Sequence, residues 1–129
     1  MKVKVSTATC AALGWMVAKA AGSMAPVGNV MMIGTQLFIT VKNDLDTPGR
    51  WVIYSPSTDW GQGGPILEQE WLDVTPWPNE SEENKRWDCV QHDCNPPYQQ
   101  FGPTPLIAAM RCYVASKLGE EVDVPEELT

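Results

Sequence analysis

With 129 residues, 43% of them hydrophobic and 19% charged, the chain has the size and composition of one globular domain with a hydrophobic core. Its formal net charge of −7 argues against nonspecific nucleic-acid binding, because such binding depends on neutralising phosphates with lysine and arginine. Six tryptophans in so short a chain supply large apolar area and indole N–H donors, which suit cores, pockets and interfaces alike.

The N-terminal segment has the outline of a secretory signal, with Lys2 and Lys4 ahead of the apolar stretch Cys10–Ala18. That stretch is rich in alanine, only about nine residues long and followed by Lys19, so we predict that it is not a signal. No segment approaches the roughly 20 apolar residues of a membrane span. We therefore expect a cytoplasmic protein without membrane contact, whose four cysteines are reduced unless they bind metal.

The first part of the chain predicts a short strand followed by a helix. Residues Lys2–Val5 alternate in polarity as a strand does. Apolar residues then recur at helical spacing over about Ala8–Ala21. Ser6 or Thr7 can cap the first turn of this helix, and Gly22 is suited to end it.

The middle of the chain predicts a hairpin and an irregular region. Met31–Val41 and Trp51–Tyr54 are rich in β-branched and aromatic residues, and strong turn signals such as Asn43-Asp44 lie between them. They predict two strands joined by a loop of roughly eight residues. Ser55–Pro65 has little helix or strand propensity, and Ile66–Val74 predicts a short irregular strand.

The clearest local signal comes near the end of the chain. Thr104 can cap a helix whose first position, Pro105, needs no N–H donor, and Gly119 is suited to end it. The apolar stripe of this helix consists of Ile107, Met110, Val114 and Leu118. Its other faces carry small residues, which predicts close helix pairing, within the chain or across a homo-oligomer interface.

Two polar segments flank this helix. Residues 75–98 are acidic and rich in proline, and we predict a long surface excursion. Residues 120–129 form an acidic tail, with a short strand at Val122–Val124. The whole chain, residues 1–129, is thus predicted to be a single α+β domain with a small antiparallel sheet, two main helices and a long irregular excursion.

Three segments resemble the phage NinX family, a domain family of unknown function found in lambdoid phages. Trp15–Gly22 resembles its N-terminal helix, Tyr54–Trp60 with Gly63–Ile66 its central motif, and Gly102–Gly119 its C-terminal helix. One departure is Gly14, where the family pattern leads us to expect an acid. The resemblance implies a NinX-like phage accessory protein in the infected bacterial host, and it brings no assigned activity.

The central motif is the best candidate for a ligand site. Glycines let backbone N–H groups approach a ligand, hydroxyls and a carboxylate can hydrogen-bond to it, and aromatic rings can stack on it. The candidate ligand-binding residues are Tyr54, Ser55, Ser57, Thr58, Asp59, Trp60, Gly61, Gly63, Gly64 and Arg111. Alternatively, Asp59 caps a turn, Trp60 belongs to the core and the glycines satisfy backbone angles. Arg111 could bind a phosphate or form an ion pair with Asp59 or a glutamate.

The run Tyr54–Asp59 also resembles the Trp-x-Pro-Ser…Asp pattern of phage proteins that sequester Thoeris immune signals. Those proteins bind ADP-ribose-type molecules in pockets of an oligomer. The likeness implies noncatalytic binding of a small nucleotide-like molecule, without a cofactor, with sequestration of a host immune signal as its purpose. Two alternatives stay open: a protein-interaction module acting on a host factor, and a nucleotide hydrolase or transferase. We expect a binding protein rather than an enzyme.

A weak candidate metal site is formed by Cys89, His92 and Cys94. Thiolate and imidazole groups are suitable zinc ligands, and Cys112 or a nearby aspartate could supply the fourth. The spacing is not one of the well-attested zinc patterns, and the paired Cys-x-x-Cys is missing. We therefore favour loop residues without a shared role.

Overall fold

The computed structural model describes residues 1–21, 27–33, 36–41 and 50–128. In this part of the chain the helices are α1 (Cys10–Ala20), α2 (Trp60–Gln69) and α3 (Pro105–Leu118). The strands are β1 (Lys2–Lys4), β2 (Val27–Ile33), β3 (Gln36–Val41), β4 (Arg50–Ile53), β5 (Asp73–Pro76), β6 (Trp87–Gln91), β7 (Tyr98–Gly102) and β8 (Glu121–Asp123). Short 3₁₀ turns lie at Val5–Thr7, Glu83–Lys85 and Glu126–Leu128.

The strands form three small antiparallel sheets. One pairs β1 with β8, the second has the order β2-β3-β4, and the third has the order β5-β6-β7. The predicted α+β class with antiparallel pairing is confirmed, but the strands form three sheets where one small sheet was predicted. The prediction of two main helices is incomplete, because α2 is a third. None of the helices described combines the length and apolar character needed to cross a bilayer.

Helix α3 lies at the centre of the fold. It begins as predicted, with the Thr104 Oγ1 accepting from the Ile107 amide at 3.2 Å and Pro105 in its first turn, and it ends at Gly119. Every side chain from Ala108 to Ala115 is buried, because α3 packs against α1, α2 and the β5-β6-β7 sheet. The small residues of α3 thus pack against other elements of the same chain. The homo-oligomer interface stays a prediction.

Helix α1 forms where the sequence predicts a helix, but its start differs. Ser6 and Thr7 lie in a 3₁₀ turn, and the helix begins at Cys10. Thr9 occupies the N-cap position without a side-chain hydrogen bond. The predicted cap at Ser6 or Thr7 is therefore wrong, and Gly22 lies outside the described residues.

The predicted single strand at Met31–Val41 is two strands. β2 and β3 pair antiparallel, and residues 34–35 between them lie outside the described part of the chain. Both arms carry β-branched residues, so composition indicates extended backbone without showing where the chain reverses. The pairing of β3 with β4 confirms the predicted hairpin, whereas its loop, with Asn43-Asp44, is also undescribed.

The region after Tyr54 differs most from the prediction. Ser55–Pro65 was expected to be irregular and Ile66–Val74 to be a strand, but α2 covers Trp60–Gln69 and β5 begins only at Asp73. Both expectations are wrong because three glycines and a proline give α2 low intrinsic helix propensity. A side-chain cap and contacts from distant residues stabilise the helix instead.

The expected surface excursion at residues 75–98 is wrong in part, since the end of β5, β6 and the start of β7 lie within it. The residues between β5 and β6, 77–86, are exposed or half-buried. Strand β6 buries polar residues, with Asp88 6% and Gln91 4% exposed. The Trp77 indole donates to Asp88 Oδ2 at 3.1 Å, and the side-chain Nε2 of Gln91 donates to the backbone carbonyl of Glu70 at 2.9 Å. Buried polar groups with partners are tolerated, but they hide a strand from a hydrophobic pattern.

The acidic segment at residues 120–129 is only partly a tail. The predicted short strand is present as β8, and it pairs with β1 so that Val3 lies opposite Val122. Val122 and Val124 are both buried in the core. The pairing of β8 with β1 therefore holds the N-terminal strand next to the last described residues.

Candidate functional site

The central motif is a tight connection between β4 and α2. The Tyr54 amide donates to the Leu37 carbonyl at 2.8 Å, which continues the pairing with β3. The Gln62 side chain then holds the turn, because its Oε1 accepts from the Ser55 amide at 2.7 Å and its Nε2 donates to the Ile53 carbonyl at 2.8 Å. The hydroxyls of Ser55 and Thr58 hydrogen-bond to each other inside the turn. Sequence reasoning missed Gln62, since nothing local marks its role.

Asp59 caps the N-terminus of α2. Its Oδ1 accepts from the Gly61 amide at 2.9 Å, and its carbonyl accepts from the amides of Gln62 and Gly63. A carboxylate at this position also interacts favourably with the helix dipole. This arrangement fits the alternative interpretation of Asp59 as a capping residue.

We expect Asp59→Ala to lower the free energy of unfolding by about 1 kcal/mol, because the Gly61 amide loses its side-chain acceptor. Urea denaturation followed by circular dichroism measures this change. Asp59→Ser is the matched control, since serine caps about as well as aspartate and is expected to stay within a few tenths of a kcal/mol of wild type. Equal stability of all three proteins would contradict the capping role.

The glycines of α2 allow close packing. A Cβ on Gly63 would overlap the Pro56 carbonyl oxygen and lie 2.9 Å from Leu106 Cδ2. On Gly64 a Cβ would meet only Trp60 Cε3, at 3.9 Å. Gly63 is thus required for α2 to lie against the turn and α3. The atoms nearest to Gly63 and Gly64 belong to the protein itself.

A cavity of about 220 Å³ lies where α2 and α3 both begin. Its walls are formed by Ser57, Thr58, Trp60, Thr104, Pro105, Leu106 and Ile107. We call it the Ser57 cavity. Among the predicted ligand-binding residues, Ser57, Thr58 and Trp60 are thus brought together. The sequence does not predict that the start of α3 forms the other wall. Thr104 and Pro105 mark the beginning of a helix, but they do not indicate which segment packs against it.

Two wall residues have unusual surroundings. Ser57 is only 2% exposed, yet its hydroxyl has no hydrogen-bond partner in the described chain. Trp60 is 56% exposed, so the alternative interpretation of this residue as part of the core is wrong. An unpaired buried hydroxyl costs about 1–3 kcal/mol, and an exposed indole leaves a large apolar surface in water. These two features make the Ser57 cavity the candidate functional site.

Two other predicted site residues lie elsewhere. Tyr54 packs against the core, where burial and then the nearby Tyr113 raise the pKa of its phenol to about 12. Arg111 is 1% exposed, and its acceptors are the Ala8 carbonyl at 3.0 Å, the Asn84 amide oxygen at 2.7 Å and the Phe101 carbonyl at 2.8 Å. None of these acceptors is a carboxylate, so the expected ion pair is wrong. Burial lowers the pKa of Arg111.

A family model described as "Bacteriophage P22, NinX" matches residues 4–117. The chain belongs to this NinX family. No curated protein matches it. The part matched to NinX includes both walls of the Ser57 cavity, and membership of the family makes this a phage protein without bringing an assigned activity.

The three residues of the weak zinc candidate, Cys89, His92 and Cys94, do not form a cluster in the NinX domain. Cys89 is fully buried, and its hydrogen bond with Cys112 together with burial raises the pKa of its thiol. His92 Nε2 lies 2.9 Å from Asp73 Oδ2, and Cys94 is half-buried in the following turn. Within the described residues no three metal-ligating side chains come together.

Proposed function

We propose that the protein is a noncatalytic binder of a small nucleotide-like molecule, and that this molecule is bound at the Ser57 cavity. The observation that carries the proposal is the buried, unpaired Ser57 hydroxyl in the wall of a cavity beside the exposed Trp60 indole. The proposal requires the hydroxyl to turn toward the ligand, which is a rotation about one bond. A ligand oxygen then supplies the missing hydrogen-bond partner.

The start of α3 adds a site for an anionic group. Leu106 occupies the second helical position, where a backbone N–H has no acceptor within its own helix. The positive end of the helix dipole lies at the same place, and phosphates bind such helix starts. We infer that a phosphate of the ligand enters the cavity between Ser57 and Leu106.

The remaining part of the ligand lies outside the cavity. A volume of about 220 Å³ is below the roughly 300–1,000 Å³ of sites that enclose a drug-sized molecule. The cavity thus accommodates one phosphate or one ring. The exposed Trp60 indole at its edge offers a face on which a nucleobase can stack.

Binding without turnover is favoured by the chemistry of the cavity wall. Among the described residues that line it, the polar side chains are hydroxyls and an indole, with no histidine, carboxylate, lysine or cysteine. General acid–base catalysis needs such a group within hydrogen-bond reach of the ligand. In an infected host, a protein that binds a signalling nucleotide without cleaving it lowers its free concentration. The resemblance of Tyr54–Asp59 to proteins that bind ADP-ribose-type molecules favours that ligand class.

The test is isothermal titration calorimetry with AMP, ADP-ribose, cyclic ADP-ribose and NAD. We expect at least one to bind with a dissociation constant well below 1 mM. Ser57→Ala is expected to weaken this affinity about 10-fold or more while leaving the urea midpoint unchanged or raised, since alanine removes an unpaired buried hydroxyl. Trp60→Ala is expected to weaken it about 5-fold to 100-fold through lost stacking.

The matched control is Trp77→Ala, which removes another half-exposed tryptophan that does not line the cavity and is expected to retain affinity. Absence of binding across the panel would refute the proposal. So would a Ser57→Ala protein that binds as tightly as wild type.

A further inference from the structure

A second concave surface lies at the C-terminal end of α2. It is an open groove with a volume of about 760 Å³. It is lined by Pro65, Leu67, Glu68, Gln69, Trp71, Leu72 and Asp73. We call it the Trp71 groove. It shares no lining residue with the Ser57 cavity, so binding at the groove is independent of the nucleotide proposal.

Trp71 is held in a backbone conformation that normally selects glycine. Helix α2 ends in two hydrogen bonds, from the Trp71 amide to the Glu68 carbonyl at 3.3 Å and from the Leu72 amide to the Leu67 carbonyl at 3.1 Å. This is a Schellman motif, and its left-handed position is occupied by Trp71 with φ of +53°. Glycine is the usual residue there because a side chain is strained at positive φ.

The fold does not use the Trp71 side chain. It is 82% exposed, more than any other large hydrophobic side chain among those described. Neither helix termination nor core packing therefore explains a tryptophan here. A strained residue with an exposed ring points to a role in binding.

The charges around the groove define its partner. Glu68 and Asp73 are exposed members of its lining, and none of the described lysines or arginines lines it. Lys117, which contacts this end of α2, is paired with Glu70 at 3.5 Å. Asp73 has one oxygen hydrogen-bonded to His92, which leaves the other available. An indole and two carboxylates that line the same groove suit a guanidinium, which stacks on indoles and binds carboxylates through two N–H groups.

We propose that the Trp71 groove binds an arginine-bearing segment of a partner protein. The guanidinium lies over the Trp71 indole and donates to Glu68 and Asp73. An apolar residue next to the arginine packs on Leu67 and Pro65. A second copy of this chain is a poor ligand for the Trp71 groove, because a chain of net charge −7 is repelled by an acidic groove on another copy.

The probe is a library of capped hexapeptides in which every position is varied, followed by calorimetry on the most strongly retained sequence. We expect enrichment of arginine beside leucine or isoleucine. Replacing that arginine by citrulline, its neutral isostere, is expected to weaken binding at least 10-fold. Glu68→Gln is expected to weaken it 3-fold to 10-fold, and Glu83→Gln, an exposed acid outside the groove, to leave it unchanged.

The decisive variant is Trp71→Gly. We expect it to lose peptide binding at least 10-fold and, at the same time, to raise the urea midpoint, because glycine relieves the strain at positive φ. A lowered midpoint would show that the tryptophan serves the fold and would overturn the proposal. Equal retention of the citrulline peptide, or equal binding by L-arginine amide alone, would also overturn it. So would a dimer in light scattering that Trp71→Gly dissociates, since the occupant would then be a second copy.

Discussion

Gly63→Ala is expected to lower the free energy of unfolding by about 3 kcal/mol or more, despite the higher helix propensity of alanine. The added methyl group would overlap the Pro56 carbonyl oxygen and press on Leu106 Cδ2, 2.9 Å away. The first obstacle is backbone and cannot rotate aside, so α2 must move away from the turn. Because domains of this size are stable by only about 5–15 kcal/mol, the urea midpoint should fall steeply.

Gly64→Ala is the matched control on the same helix. Its methyl group would meet only Trp60 Cε3 at 3.9 Å, which is an ordinary contact. We expect it to be neutral or to stabilise by up to about 1 kcal/mol, through the helix propensity of alanine. If the two variants have the same midpoint, the close approach of α2 to Pro56 is wrong.

Arg111→Met is expected to destabilise the domain by about 3 kcal/mol. Methionine fills much of the volume of arginine but cannot donate hydrogen bonds. The Ala8 and Phe101 carbonyls and the Asn84 amide oxygen would then lose their common donor. Buried acceptors without a partner are costly, so urea denaturation should show a lower midpoint with an unchanged slope.

Lys117→Met provides the comparison for Arg111→Met. Lys117 lies on the same helix, is 41% exposed and makes an ion pair with Glu70 at 3.5 Å. We expect a loss of at most about 1 kcal/mol, because the Lys117 end of this ion pair is solvated even though Glu70 is 15% exposed. Arg111→Lys keeps the charge but loses the geometry of the three N–H donors. Its loss in free energy of unfolding is expected to lie between the losses of Arg111→Met and Lys117→Met. An Arg111→Met protein as stable as wild type would refute a structural role for the guanidinium.

Helix α3 could be predicted from the sequence because its signals are local. Thr104, Pro105 and Gly119 mark its ends, and each acts through neighbours within four residues. Helix α2 could not be predicted in the same way. Its cap, Asp59, is local, but its packing depends on Gly63 lying against Pro56 and α3, and a glycine carries no sign of what will approach it.

The candidate site was predictable only in part, for a similar reason. Ser57 and Trp60 stood out by their chemistry and their place in a loop, and the structure puts both in the wall of one cavity. The opposite wall begins at Thr104, far along the chain. Arg111 was assigned to the wrong surroundings, because its acceptors come from three distant segments. Trp71 was missed, since its strain becomes visible only once the end of α2 is known.

The pairing of β1 with β8 has a consequence for how the chain folds during synthesis. Lys2 lies opposite Asp123, so β1 has no partner until the residues of β8 have left the ribosome. Arg111 adds a second such link, because it joins Ala8 to a helix about a hundred residues later. Contacts this distant in sequence slow folding, since the loop must close before they form. Nascent chains that end before α3 should therefore stay open, with their apolar N-terminal helix exposed to chaperones.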